Sequence, residues 1–199
     1  MPGLPPLTVF DVETTGLDPK KGHRIVEIAG VRIEDGIIQL ETAFTTLVNP
    51  ERDIPWEVKQ VNHITEDMVK DAPTIMAVLP DFLSFAQGST LFAHNASFDV
   101  GFLECEKEFC WGYIELPDVL CTMRLSQSLF PTAMRHNLDA LSERLGLVLP
   151  SAEERHRALP DVLLTANALV KMMELGRIRS MEELKRKSSL DLVMGGRSR

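Results

Sequence analysis

The alternation of apolar and polar residues in the first fifty positions predicts three β-strands. Apolar residues lead into a buried strand that ends around Asp11 and Glu13, and a looser alternation runs from Arg24 to Ile33. Asp35-Gly36 is typical of a hairpin turn, so residues 37–48 are expected to form the returning strand of an antiparallel pair. On the middle strand this alternation places three residues on one face: Ile25, Glu27 and Ala29.

After residue 50 the pattern changes to short strands that alternate with helices. Apolar spacing predicts helices at 55–60, from 65, at 74–86, from 97, at 122–129, at 137–145, at 160–175 and from 181. Strands are expected at 90–94 and 118–122. Thr74, either Asn95 or Ser97, and Ser180 are the expected N-caps of their helices, and Pro80 should kink or divide the helix that contains it.

The order of these elements predicts one α/β domain with a mixed sheet. Strands come first, two of them joined as an antiparallel hairpin, and strands alternating with flanking helices follow. We expect residues 1–6 to be an N-terminal extension and residues 7–176 to be the domain. Residues 177–199 are expected to hold a basic short helix and, from Ser188, a loose tail.

Composition places the chain among globular proteins of ordinary size. It has 199 residues, of which 44% are hydrophobic and 25% charged. No apolar run is as long as a membrane span, and the N-terminus lacks the pattern of a secretory signal, so we expect a cytoplasmic protein without membrane contact. The three cysteines lack the spacing of metal ligands and are expected to be buried thiols.

The charge is distributed unevenly along the chain. The formal net charge is −8, yet residues 176–199 carry seven basic and three acidic side chains, which leaves −12 for residues 1–175. An acidic body does not favour binding of nucleic acid through a broad basic surface. The basic tail either contacts phosphate or is a solvated tail, and the sequence supports both interpretations.

Four carboxylates stand at the ends of predicted elements. Asp11 and Glu13 share one face of the first strand, where a solvated edge and a functional site are equally compatible with the pair alone. Asp99 and Asp161 fall in the first turns of two helices. Because the ends of such elements converge at one edge of an α/β sheet, the four predict an all-oxygen site for two divalent ions, Mg²⁺ or Mn²⁺.

A histidine lies close to the fourth of these acids in sequence. Pro160 begins the last long helix in this interpretation, so His156 lies on the preceding loop and can fold over the acidic site. An imidazole can accept a proton from water near neutral pH. His23 and His136 are expected to be ordinary surface or core residues, and the pattern leaves the roles of His63 and His94 open.

Three segments carrying these residues resemble a known family. The segments are Phe10-Asp-Val-Glu-Thr-Thr-Gly-Leu17, His94-Asn-Ala-Ser-Phe-Asp99 and His156-Arg-Ala-Leu-Pro-Asp161. In this order they resemble the motifs of the DEDDh 3′→5′ exonucleases, the family that includes the proofreading ε subunit of bacterial DNA polymerase III. The resemblance covers about residues 7–175.

The resemblance implies a fold, a reaction and a set of site residues. The implied fold is ribonuclease H-like, and the implied reaction releases 5′-mononucleotides from a 3′ end by a two-metal mechanism. Asp11, Glu13, Asp99 and Asp161 would be the metal ligands and His156 the general base. The terminal nucleotide would be bound by the segment after the acid pair and by one further residue: Thr14, Thr15, Gly16, Leu17 and Ile64.

Several functional alternatives stay open within this resemblance. The leading hypothesis is a nuclease of single-stranded or frayed DNA 3′ ends, and the alternative is an exoribonuclease, because the five catalytic positions do not distinguish the sugars. A second alternative is a proofreading subunit that binds a DNA polymerase through its basic tail. A non-catalytic nucleic-acid binder is disfavoured because all five catalytic positions are intact. The sequence does not predict an oligomeric state.

Overall fold

A five-stranded mixed sheet forms the centre of the protein, which is represented by a computed structural model that describes residues 4–110, 114–151 and 155–190. The strands are β1 (Leu7–Thr14), β2 (Ile25–Glu34), β3 (Ile37–Leu47), β4 (Thr90–Ala93) and β5 (Val119–Cys121), in the spatial order β3-β2-β1-β4-β5. β2 is antiparallel to both β1 and β3, whereas β1, β4 and β5 are mutually parallel. The predicted mixed sheet with an antiparallel hairpin is confirmed.

Helices flank this sheet, and their positions agree with the predicted ones to within a few residues. They are α1 (Trp56–Asn62), α2 (Glu66–Val69), α3 (Ile75–Phe85), α4 (Ser97–Glu106), α5 (Thr122–Leu129), α6 (Leu138–Arg144), α7 (Ala158–Leu175) and α8 (Met181–Ser188). Single 3₁₀ turns occupy Pro19–Lys21 and Lys107–Cys110. Among the described residues, none of the helices has the length and apolar character that crossing a bilayer requires.

The two faces of the sheet are covered by different helices. On one face Val9, Ala29 and Val31 pack with the apolar side of α7. On the other face Phe10 and Ile28 pack with residues of α3 and α4. Because side chains alternate along β1, Asp11 and Glu13 point to the same side as Val9, which is the side of α7.

A β-bulge corrects the predicted face of Ile25. Glu13 pairs with Glu27 in the β1–β2 ladder, but the next residue, Thr14, pairs with Ile25, so Val26 has no partner in β1. An extra residue reverses the alternation beyond it. Ile25 therefore lies in the cluster with Phe10, and not on the face of Glu27 as the alternation predicts.

Two of the three predicted N-cap positions are confirmed, and one is wrong. Thr74 is the N-cap residue of α3, although its side chain makes no capping hydrogen bond, and Ser180 caps α8 through its side chain. Helix α4 is capped by Ala96, since Asn95 adopts a left-handed conformation and its carbonyl accepts the Phe98 N–H at 2.9 Å. Asn137 caps α6 through its side chain.

Pro80 does not divide α3, contrary to the alternative in which the helix breaks. The helix is continuous from Ile75 to Phe85, with Pro80 on its exposed side. Val78, Leu79 and Phe82 are buried on the opposite side, and this packing stabilises the helix across the missing N–H.

The C-terminal helix α8 packs against α5 and is less loose than predicted. Its Leu184 is fully buried, Ser188 is also buried, and Leu190 packs against the core. The expected loose tail therefore does not begin at Ser188, and residues 191–199 lie outside the described residues. The three cysteines are free thiols; Cys110 and Cys121 are buried as expected, and Cys105 is half-buried.

Candidate active site

Three of the four predicted acids meet at the end of β1. Asp11 and Glu13 come from β1, and Asp161 comes from the first turns of α7, which crosses the same face. Each offers a carboxylate oxygen, and these oxygens lie within 4.8 Å of one another. Such a cluster has the spacing and the donor type that a hard divalent cation requires.

The fourth acid, Asp99, approaches from the other helix layer. It lies in the first turn of α4 and is 1% exposed. Its Oδ1 accepts a hydrogen bond from the backbone N–H of Val12 at 3.2 Å, so its carboxylate is held against the backbone of β1 beside the strand acids. The structure thus brings all four predicted acids to one edge of the sheet.

Burial and mutual repulsion disfavour the ionised forms of these acids. Burial raises the pKa of Asp11 well above its usual range, and the negative charges of Asp99 and Glu13 raise it further. The pKa of Glu13 is raised in the same way, by burial and then by Asp161 and Glu27. Burial raises the pKa of Asp99 to about 8. Divalent cations would neutralise this charge, and the all-oxygen donor set fits them.

Asp161 differs from the other acids because a cation already contacts it. Arg155 forms an ion pair with Asp161 through Nη1 and with Asp139 through Nη2, the latter at 2.6 Å. Burial raises the pKa of Asp161, and the nearby Arg155 guanidinium opposes that rise. The acid of α7 is therefore partly neutralised by its own segment of the chain.

His156 lies at the entrance to α7, as the sequence predicts. It is exposed and immediately precedes Arg157, the N-cap of the helix. Its φ of 61° is in the left-handed region, which is uncommon outside glycine. Asn95, one residue before the cap of α4, has a φ of 60°. Both helices that carry site acids are thus entered through a left-handed residue.

The segment after the acid pair is ordered mainly by its own hydrogen bonds. Thr14 Oγ1 donates to the Gly16 carbonyl at 2.7 Å. Thr15 is fully buried; its N–H donates to the Arg24 carbonyl, and its hydroxyl oxygen accepts the Arg24 N–H. Leu17, by contrast, is 86% exposed. Of the four predicted nucleotide contacts in this segment, Leu17 has the side chain most available to a ligand.

Gly16 lies directly against the ring of His23. A Cβ built at Gly16 would lie 2.4 Å from ring atoms of His23, so a larger residue would displace the imidazole. His23 Nδ1 also lies 3.3 Å from Thr15 Oγ1. The histidine expected to be an ordinary surface or core residue therefore supports the segment that follows the acid pair.

Ile64 occupies a different environment from the one predicted. It is fully buried in a cluster with Val26, Ile54 and Val69, and it offers no exposed surface to a base. The neighbouring Asn62 reaches the site instead, because its Nδ2 donates to the Thr14 carbonyl at 3.4 Å. Asn62 also opposes the rise in the pKa of Glu13 through a side-chain hydrogen bond.

The remaining histidines have structural partners or lie on the surface. His94 Nδ1 lies 2.9 Å from Thr122 Oγ1, and burial lowers the pKa of His94 to about 4, so its ring is neutral at pH 7. His136 contacts Ser126 Oγ at 2.8 Å, and His63 is exposed at the end of α1.

Two buried ion pairs beside the site were not anticipated from the sequence. Glu27, 4% exposed, pairs with Arg157, and Glu106, 1% exposed, pairs with Arg24. One signal was available: Glu27 interrupts an otherwise apolar stretch of β2, where a charged side chain requires a partner. The identity of that partner, 130 residues away, was not available from periodicity.

Comparison with known proteins gives consistent matches over most of the chain. The exonuclease family model matches residues 8–169. An ε-like protein of DNA polymerase III from Rhodobacter capsulatus is 46% identical over 173 residues, which are 87% of this chain and 24% of that protein. The chain thus corresponds to about a quarter of that relative. The DNA polymerase III ε subunit of Rickettsia conorii is 38% identical over 169 residues, 83% of this chain and 72% of that protein.

Solved structures give the same picture. Exonuclease X, in complex with 5′ overhanging duplex DNA, is 33% identical, with a TM-score of 0.72 over 89% of this chain and 96% of that one. The nuclease domain of 3′hExo, a DEDDh family member bound to rAMP, has a TM-score of 0.74 at 20% identity, over 86% of this chain and 92% of that one. The second match supports the fold alone.

Proposed function

This chain belongs to the exonuclease family, and on that premise we propose that it is a metal-dependent 3′→5′ exonuclease of single-stranded or frayed DNA ends. Both the family membership and the ribonuclease H-like sheet agree with the resemblance drawn from the three motifs. The observation that carries the proposal is the meeting of Asp11, Glu13, Asp99 and Asp161 at one sheet edge, with His156 at the entrance to α7.

The four acids are the residues that would hold two divalent ions, Mg²⁺ or Mn²⁺. When bound, such ions supply positive charge that stabilises the attacking and departing oxygens of an in-line displacement at phosphorus. Asp11 and Glu13 contribute through the backbone-paired strand, and Asp99 is positioned by the Val12 N–H. This arrangement keeps the ligands in place without rearrangement of the backbone.

His156 acts as the general base in this proposal. Its exposed ring, one residue before the N-cap of α7, can accept a proton from the attacking water and pass it to solvent. Leu17 packs against the terminal base, a contact between an apolar side chain and a base face that needs no sequence code. Ile64, also proposed from the resemblance, would contact the base only if its cluster opened.

DNA is proposed as the substrate, and RNA as the alternative. Exonuclease X, at 33% identity, is described in complex with 5′ overhanging duplex DNA. The relative from Rickettsia conorii is named as a DNA polymerase III ε subunit, and the one from Rhodobacter capsulatus as an ε-like protein. The 20% identical 3′hExo domain is described with rAMP, so the fold alone accommodates both sugars.

One assay tests polarity, metal requirement and sugar preference together. DNA and RNA oligonucleotides of the same sequence, labelled at either end, are incubated with the protein in Mg²⁺, in Mn²⁺ or in EDTA. We expect 5′-labelled DNA to yield a ladder of progressively shorter labelled fragments, and 3′-labelled DNA to yield labelled mononucleotide from the start of the reaction. Both products should form only when metal is present. Faster degradation of RNA than of DNA would replace DNA by RNA in the proposal, and activity in EDTA would reject the metal-dependent mechanism.

A role beside a DNA polymerase is the second candidate function. The relative from Rickettsia conorii is named as a polymerase III subunit, and residues 177–199, of which α8 packs on the domain, carry excess positive charge. Co-purification of a polymerase with the full chain, and not with a variant lacking residues 191–199, would support binding through these last residues. Equal recovery with both would reject that role for residues 191–199.

A further inference from the structure

Glu27 is a buried carboxylate adjacent to an already acidic site. It is 4% exposed and lies directly across the β1–β2 ladder from Glu13. Transfer of a charged group from water to a protein interior is costly unless the group is paired and hydrogen-bonded. The negative charge of a fifth acid at this position therefore needs a positively charged partner other than the metal ions proposed for the site.

That compensation comes entirely from the entrance to α7. Arg157 Nε donates to Glu27 Oε2 at 3.0 Å, Arg157 Nη2 donates to Oε1 at 2.6 Å, and the backbone N–H of Ala158 donates to Oε2 at 3.0 Å. Both carboxylate oxygens are thus engaged by a two-point guanidinium contact and a helix N–H. The N-cap residue Arg157 makes no side-chain capping hydrogen bond to α7. Glu27, 130 residues earlier in the chain, accepts the first helix N–H instead.

The contact lies between the two functional residues of this segment. Arg157 directly follows His156 and precedes Asp161 by four residues, about one helical turn. The hydrogen bonds of Arg157 and Ala158 to Glu27 therefore determine the position of the start of α7 relative to β2. Since Glu27 faces Glu13 in the ladder, it also sets α7 relative to the strand acids.

We propose that Glu27 and Arg157 are positioning residues, whose ion pair holds His156 and Asp161 in register with Asp11 and Glu13. This inference rests on the proposed exonuclease function and deepens it. Neither residue reacts: Glu27 has its oxygens occupied by α7, and Arg157 is turned toward Glu27. Their effect is transmitted through the backbone of residues 156–161.

The chain offers a matched control on the same strand. Arg32 of β2 forms an ion pair with Glu34 at 3.1 Å and donates to the Phe85 carbonyl at 3.0 Å, so it also joins β2 to a distant helix. It is on the strand's other end and contacts none of the site residues named above. Arg32→Gln thus removes a comparable structural contact without touching α7.

The experiment measures catalysis and metal binding separately. Five variants are compared with the unaltered chain: Arg157→Gln, Arg157→Lys, Glu27→Gln, the double variant Glu27→Gln/Arg157→Gln, and Arg32→Gln. Initial rates on a 5′-labelled single-stranded DNA oligonucleotide give kcat and KM, isothermal titration with Mn²⁺ in the absence of DNA gives Kd, and thermal unfolding gives Tm.

Arg157→Gln should lower kcat by about 10- to 100-fold and weaken Mn²⁺ binding severalfold, with KM unchanged within about twofold, the range known for residues that orient metal ligands. Arg157→Lys should restore part of kcat. The double variant should lose no more than Arg157→Gln alone, because the two residues act as a unit. Arg32→Gln should lower Tm and leave kcat within about twofold, as surface-to-helix contacts away from a site do.

Four results would overturn the inference. The first is unchanged kcat and unchanged Mn²⁺ Kd in Arg157→Gln, and the second is an effect of Arg157→Gln confined to KM, which would make Arg157 a substrate contact. The third is a kcat loss in Arg32→Gln equal to that in Arg157→Gln. The fourth is a kcat loss in the double variant that equals the sum of the losses in the two single variants. If Arg157→Gln does not fold, Arg157→Lys and Glu27→Gln decide by the same criteria. If the unaltered chain degrades no DNA, the proposed function fails, while the Mn²⁺ titrations still test whether the pair positions Asp161.

Discussion

The site is built from two regions that are held in place in different ways. The strand region, Asp11 and Glu13 with Asp99 against them, is positioned by backbone hydrogen bonds of the sheet and by the Val12 N–H. The entrance to α7, residues 155–161, is positioned by side-chain ion pairs to Asp139 and Glu27. The first region concentrates negative charge, and the second pairs its single acid, Asp161, with Arg155. We expect the strand region, with three of the four proposed ligands, to contribute most of the metal binding. The α7 entrance adds the ligand Asp161 and the proposed base, and its largest effect should be on the rate.

The largest expected effect is the loss of the strand acids. In Asp11→Ala, hydrolysis should fall to background and Mn²⁺ titration should give no heat at the site, because the variant removes one of the carboxylates that would hold the proposed ions. Oligonucleotide degradation and calorimetry check this. Full activity of the variant in excess EDTA would contradict the whole mechanism.

A histidine variant separates the two regions. His156→Ala should lower kcat by about 10²- to 10⁴-fold, the usual contribution of a general base, while Mn²⁺ affinity stays within about twofold. His63→Ala is the matched control, since His63 is also exposed and left-handed, with a φ of 59°, and kcat should be retained there. Loss of metal binding in His156→Ala would erase the proposed division between the regions.

A smaller effect is expected at the exposed leucine after the strand acids. Leu17→Ala should raise KM for a DNA oligonucleotide about 5- to 10-fold and leave kcat nearly unchanged, because partial burial of one apolar side chain contributes about 1 to 1.4 kcal/mol. Leu40→Ala, on the exposed part of β3, is the control and should change neither parameter. A fall in kcat at constant KM would place Leu17 in the rate-determining step instead of in binding.

The smallest effect concerns the pH dependence of stability without metal. Because the pKa of Asp99 is raised to about 8, the folded state binds its proton more tightly than the unfolded chain does. The free energy of unfolding should therefore fall as pH rises from about 4 to about 8, and the penalty is complete above that range.

Asp99→Asn removes the contribution of Asp99 to this dependence and leaves those of Asp11 and Glu13. Its metal-free Tm should exceed that of the unaltered chain by roughly 10 °C at pH 8 and by little at pH 4.5. Asp81→Asn, at an exposed position of α3, should change Tm equally at both pH values. A pH-independent difference for Asp99→Asn would mean that burial of its charge is not the cause.

The same division explains what the sequence could predict. Asp11, Glu13 and Asp99 follow from strand alternation and helix starts, which are local properties, and the structure brings them together as expected. The bulge that turns Ile25 over depends on one unpaired residue, Val26, and no local signal marked it. The Glu27–Arg157 pair joins positions 130 residues apart, and sequence periodicity carries no information on such pairings.

The substrate contacts were the least predictable part. Thr15 carries a hydroxyl group and Ile64 is apolar, and either type of side chain is found both in ligand contacts and in protein cores. In the structure both residues are fully buried. Leu17 has the same chemical character and is exposed. Exposure of an individual side chain depends on tertiary packing around it, which a motif does not specify.

The left-handed backbone at position 156 has a consequence for how this protein can be improved. A φ of 61° in a residue with a Cβ costs the folded state about 1 kcal/mol or more, and glycine would relieve it. Selection for thermostability alone would therefore favour glycine at position 156 and discard the proposed base. Stability and turnover compete at this residue, so a screen of variants should select for both properties together.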